Sequence, residues 1–111
     1  MIEKEEQIMS YIMQSGLRAH INAQRAEAEE FSKQPGCWMG KMVDPDDTEY
    51  WSERVPSGTL REYMRIQLVE DAYYLTAEKT SKSYARSLDF SNWSDYNIQR
   101  HIDRMCERES A

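Results

Sequence analysis

Apolar residues recur at helical spacing from the start of the chain. At about 100° per residue, Ile2, Ile8, Met9, Ile12, Met13, Leu17, Ala19, His20, Ala23 and Phe31 fall on one broad face. Lys4, Gln14, Arg18, Asn22, Arg25 and Glu29 fall on the other. The spacing predicts one long amphipathic helix over residues 2–33. Its stripe thins beyond Leu17, where alanines replace isoleucine and methionine. Gly16 in mid-stripe costs about 1 kcal/mol against alanine and predicts a close helix approach or a kink. Pro35 and Gly36 stop the helix near Lys33.

A second long helix is predicted over 59–88. Thr59 and Glu62 fit the capping-box spacing at its start. Leu60, Met64, Leu68 and Leu75 form one apolar stripe; Tyr63, Ile66, Tyr73, Ala77, Tyr84 and Leu88 form another. A helix apolar on two sides is central in its domain or serves an oligomer interface. Thr80-Ser81-Lys82-Ser83 is its weak point. A last helix is predicted over 94–108, with Ser94 as N-cap and Ile98, Ile102 and Met105 as its stripe.

Residues 34–58 connect the two long helices. This connector holds all three prolines, three of the four glycines, and Trp38 and Trp51. Asp44-Pro45-Asp46-Asp47 reads as a helix start, with Asp44 as N-cap and Pro45 at the first helical position, so a short helix is expected at 45–54. The tryptophans are expected to pin the connector to the core. Residues 38–43 are the only strand-like text, interrupted by Gly40. Together these elements predict an all-α fold in one domain, residues 1–111. It is a small bundle of two long antiparallel helices, a short connector helix and a C-terminal helix.

Charge narrows the function classes. The chain carries 20 acidic and 14 basic residues, net −6, so it lacks the basic footprint of a nucleic-acid binder. The densest acidic run is Asp44, Asp46, Asp47, Glu49 and Glu53, with Tyr50 and Trp51 inside it. No apolar run reaches membrane-spanning length. The charged N-terminal text is no secretory signal, so the expected location is the cytoplasm, with Cys37 and Cys106 reduced.

Candidate chemistry is thin. Phosphate-cradling glycine loops and nucleophile elbows are absent from the sequence. His20, His101, Cys37 and Cys106 suit zinc chemically but lack any local ligand spacing, so no metal and no cofactor is expected. Cys37 lies among turn residues without a cation to lower its pKa, so a structural thiol is the better reading than a nucleophile. Glu27, Glu70 and Asp71 fall on or between apolar stripes and must be paired, or form a polar patch with Tyr63, Tyr73 and Tyr74.

The expectation is therefore a non-enzymatic interaction protein, an adaptor or inhibitor of the phage or bacterial regulatory kind. It would act on a protein partner through Asp44, Asp46, Asp47, Glu49, Tyr50, Trp51 and Glu53. A homo-oligomer, with a dimer favoured, would use Tyr63, Ile66, Glu70, Tyr73 and Tyr84. The first alternative is a small-ligand-binding oligomer with a metabolite or nucleotide pocket on that same face, including His20. The second is an acidic mimic of DNA that occupies the groove of a nucleic-acid-binding protein.

Overall fold

The computed structural model describes residue 6 and residues 8–110, with side chains as far as residue 107. Among them every regular element is helical: α1 (Ser15–Ser32), α2 (Thr48–Arg54), α3 (Leu60–Lys79), α4 (Lys82–Leu88), a 3₁₀ turn (Phe90–Asn92) and α5 (Asp95–Ser110). The chain forms an all-α fold. It divides into two compact units, Met1–Tyr63 and Met64–Ala111. The first turn of α3 belongs to the first unit.

In the first unit the predicted helix over 2–33 is interrupted. Residues 8–10 are helical and 11–14 are not; α1 starts only at Ser15, with Gln14 as N-cap. The start of the predicted helix lies outside the described residues. Tertiary contacts cause the break. Gln14 N–H donates to Gly58 O at 2.9 Å, and the Tyr11 hydroxyl donates to Val55 O at 2.9 Å. These bonds hold 11–14 in a path that no helix follows. Gly58 has φ +69°, and a Cβ there would lie 2.3 Å from Ile12 O. The position therefore requires glycine twice over, for conformation and for space. The close approach falls at Gly58; a Cβ added at Gly16 would meet Leu60 Cβ at an ordinary 3.9 Å.

Leu17, Ile21 and Ala28 of α1, Trp51 of α2, Val55 and Tyr63 form the buried hydrophobic core of this unit. Each large side chain taken from water contributes roughly 1.5–3 kcal/mol. Tyr63 packs against His20 at 5.2 Å and Trp51 at 6.2 Å between ring centres. The connector helix begins later than its acidic text suggests. Asp44 O accepts from Asp47 N–H and Asp44 Oδ1 from Asp46 N–H, so Asp44–Asp47 is a turn. Asp47 is the true N-cap, its carboxylate accepting from Tyr50 N–H at 3.2 Å. Pro45 is buried in that turn and does not open the helix. Residues 38–43 contain no strand.

In the second unit Ala72, Phe90 and Ile98 form the core cluster, with Leu68, Val69, Tyr73, Leu88, Trp93 and Ile102 packed around it. The inward line of α3 runs through Ala72 and Thr76, both fully buried. It thus lies between the two stripes drawn from large residues, and Met64 of the first stripe is exposed. Thr76 Oγ donates to Ala72 O at 2.7 Å, so it accepts from His101 Nε2–H at 2.7 Å. That network assigns the imidazole tautomer. The predicted helix over 59–88 breaks at its weak point: Ser81 caps α4, accepting from Tyr84 N–H. Ser94 caps α5 as its sequence implies, accepting from Asn97 N–H at 3.1 Å.

Arg65 ties the 3₁₀ turn to α3. Its guanidinium reaches Asp95 Oδ1 at 2.6 Å, Trp93 O at 2.6 Å, and Phe90 O and Ser91 O at 3.3 Å each. A planar fork with several donors serves four acceptors that a single ammonium would not match.

Candidate functional site

The acidic run is largely committed to holding α1 and α2 in place. Asp46 pairs with Arg18 at 2.7 Å, and Asp44 pairs with Arg25 at 3.8 Å. Arg25 also donates to Met42 O. Asp47 is spent on capping. Trp51, expected on the interaction surface, is a core residue only 2% exposed, with its indole N–H donating to Asp44 O at 2.9 Å. Its ring fills the inward side of a seven-residue helix, which agrees with the expectation that it pins the connector to the core and removes it from the expected contact surface. Glu49, Tyr50 and Glu53 are exposed, and Tyr50 stacks edge-on against Trp51 at 4.9 Å.

The other connector tryptophan does the reverse of what was expected. Trp38 is 81% exposed, although hydrogen bonds tie the loop on both sides of it. Ser32 Oγ accepts from Met39 N–H at 2.9 Å and faces Met39 O at 3.3 Å, fastening the loop to the end of α1. Gln34-Pro35-Gly36-Cys37 is a turn closed by Cys37 N–H to Gln34 O at 3.0 Å, with Gly36 at φ +76° in its third position. The indole lies over Gly40, where an added Cβ would meet it at 3.3 Å. Phe31 and Met39 are also exposed. Lys33 pairs with Glu30 at 2.9 Å, a bond that raises the lysine pKa, and Lys41 pairs with Glu29 at 3.6 Å. The charges nearest this loop in sequence are thus matched, leaving the apolar groups as its free chemistry. Proline and glycine around Trp38 were the visible signal of a shaped loop; its exposure was not visible.

The residues assigned to an oligomer or pocket face divide. Tyr63 is a buried residue of the first unit. Ile66 is half-buried. Glu70 and Tyr73 line a cleft of about 330 Å³ in the second unit, with Val69, Tyr74, Arg86 and Phe90 among its other walls. Tyr84 is exposed and lines a different cleft of that unit, about 360 Å³, with Trp93 and His101. Glu27 and Asp71 are exposed and not buried on their stripes, so neither needs a buried partner. Cys37 is half-buried beside Gln34, and Cys106 is exposed. Among the described residues no group of three His, Cys, Asp or Glu side chains gathers at metal-binding distance. No helix among them is long and apolar enough to cross a membrane. No family model, no curated protein and no solved structure matches this chain.

Proposed function

We propose that the chain is a non-enzymatic protein-interaction module whose contact residue is Trp38. The observation that carries this is the exposure of a whole indole on a loop tied down on both sides. An ordered exposed tryptophan loses little conformational freedom on binding and buries a large area, which is why tryptophan is enriched among interface hot spots. With Asp44 and Asp46 paired to arginines of α1, the acidic run holds the connector, which favours Trp38 over that run as the docking face. That arrangement also speaks against mimicry of DNA, which needs the carboxylates free.

The dimer expected from the two-sided second helix is a proposal of the same kind. Light scattering separates it from a 13.2 kDa monomer. The experiment for the main reading is capture of partners on immobilised protein, wild type against Trp38→Ser. The variant alters an exposed side chain and keeps the fold, so a specific protein held by the wild type and lost by the variant supports the reading. Equal retention by both, or no retention at several salt concentrations, refutes it.

A small-ligand reading draws on the cleft beside Glu70 and Tyr73, where Arg86 supplies the opposite charge. A thermal-shift screen tests it, since a ligand stabilises by RT ln(1 + [L]/Kd).

A further inference from the structure

Two clefts of the second unit share a wall. One, about 520 Å³, is polar and is lined by Asn92, Trp93, Ser94, Asn97, Arg100 and Arg104. The other, about 360 Å³, is of mixed character and includes Tyr84, Leu88, His101 and Met105 in its walls. Trp93 and Arg104 line both. A ring and a guanidinium thus stand at the border of both clefts.

Three observations point to an occupant. First, the residues lining the two clefts include two arginines and a histidine but no aspartate or glutamate, in a chain with 20 acids and 14 bases. Second, the guanidiniums are not neutralised there. Arg100 lies over the Tyr96 ring at 5.8 Å and donates to its hydroxyl at 3.5 Å, and among the described residues neither Arg100 nor Arg104 pairs with a carboxylate. Third, the aromatic wall is fixed in advance. Trp93 Nε1–H donates to Leu88 O at 3.1 Å, and its ring packs edge-on against Phe90 and His101. His101 is itself locked by Thr76. A rigid ring beside two guanidiniums that pair with no described carboxylate matches a planar ring that carries an anionic group, because guanidinium binds carboxylate and phosphate oxygens in a fork.

We infer that the cleft bordered by Trp93, Arg100 and Arg104 binds a small aromatic anion, its carboxylate or phosphate held by Arg100 and Arg104 and its ring against Trp93. The inference is independent of the Trp38 surface and survives or fails without it.

The test uses the full chain labelled with ¹⁵N and reads the Trp93 indole N–H. Four probes are titrated: adenosine monophosphate, phenylpyruvate, inorganic phosphate and adenosine. At least one of the two aromatic anions should shift the Trp93 signal saturably. Inorganic phosphate and adenosine should each bind at least tenfold more weakly. Arg104→Gln and Arg100→Gln change exposed side chains and should each weaken the aromatic anion about tenfold while leaving the rest of the spectrum in place. A response to only one aromatic anion supports the inference and identifies the anionic group. The inference is overturned by no saturable shift with either, by inorganic phosphate or adenosine binding as tightly, or by wild-type affinity in both variants.

Discussion

Replacing Gly58 with alanine should cost the protein far more than the same change at Gly36, although both glycines have φ near +70°. An L-residue held in the left-handed region costs roughly 1–2 kcal/mol, and both sites incur that. At Gly36 nothing lies within 4 Å of the new Cβ, so the conformational cost is the whole cost. At Gly58 the Cβ meets Ile12 O at 2.3 Å, and Ile12 C and Met13 Cα at 3.2 Å. All three are backbone atoms, so no side chain can swing away. Relief requires the 11–14 segment to move off by about an ångström, which breaks the Gln14 N–H bond to Gly58 O and strains the Tyr11 bond to Val55 O. Each is worth about 1 kcal/mol. The expected losses are about 1 kcal/mol for Gly36→Ala and about 3 kcal/mol for Gly58→Ala. For a chain of this size that is about 4 °C and about 12 °C in Tm. Urea unfolding followed by tryptophan fluorescence measures both. Equal losses at the two sites would refute the argument, because the backbone approach is what separates them.

Two further outcomes follow from the same kind of reasoning. Arg65→Met keeps the aliphatic stem but removes the donor to Asp95 and to the Ser91 and Trp93 carbonyls, while Phe90 O keeps its bond from Trp93 N–H; at about 1.5–3 kcal/mol for a hydrogen bond to a charged group, it should lose at least 2 kcal/mol, read by urea unfolding, with Arg65→Lys recovering only part. Burial and then the Glu62 carboxylate hold the Tyr11 pKa above the ordinary ~10 of tyrosine, so the folded state keeps that proton after the unfolded chain begins to lose it. The Tyr11 contribution is therefore full below pH ~10 and is lost as pH rises through the higher folded value. Stability measured against pH should fall less steeply in this range for Tyr11→Phe than for wild type; parallel curves would contradict the shift.

Much of the fold was legible because it rests on local signals. The cap at Thr59, whose hydroxyl accepts from Glu62 N–H at 3.1 Å while the Glu62 carboxylate reaches Ser57 N–H, the cap at Ser94, the weak point at Thr80–Ser83 and the stop after Lys33 all involve groups within a few residues of one another. What the pattern hid is non-local. The apolar face of residues 8–13 runs smoothly into that of α1, and only bonds from Gly58 and Val55 break the helix there. The inward line of α3 passes through Ala72 and Thr76, which carry too little hydrophobic weight to stand out beside leucine and tyrosine. Asp44 looked like an N-cap because a proline followed it, whereas its carbonyl and carboxylate serve a turn and the Trp51 indole. The two connector tryptophans illustrate the limit best. Trp38 follows a turn and Trp51 lies within a seven-residue helix in the acidic run, and neither setting in sequence marks the second ring as buried and the first as exposed.

The most direct test of the central claim is partner capture by wild type and Trp38→Ser, run side by side with a urea unfolding curve for each. The account predicts matching unfolding curves, a specific protein retained by the wild type, and its loss from the variant. Retention by Trp38→Ser at the wild-type level would show that the exposed indole is not the contact and would contradict the proposal.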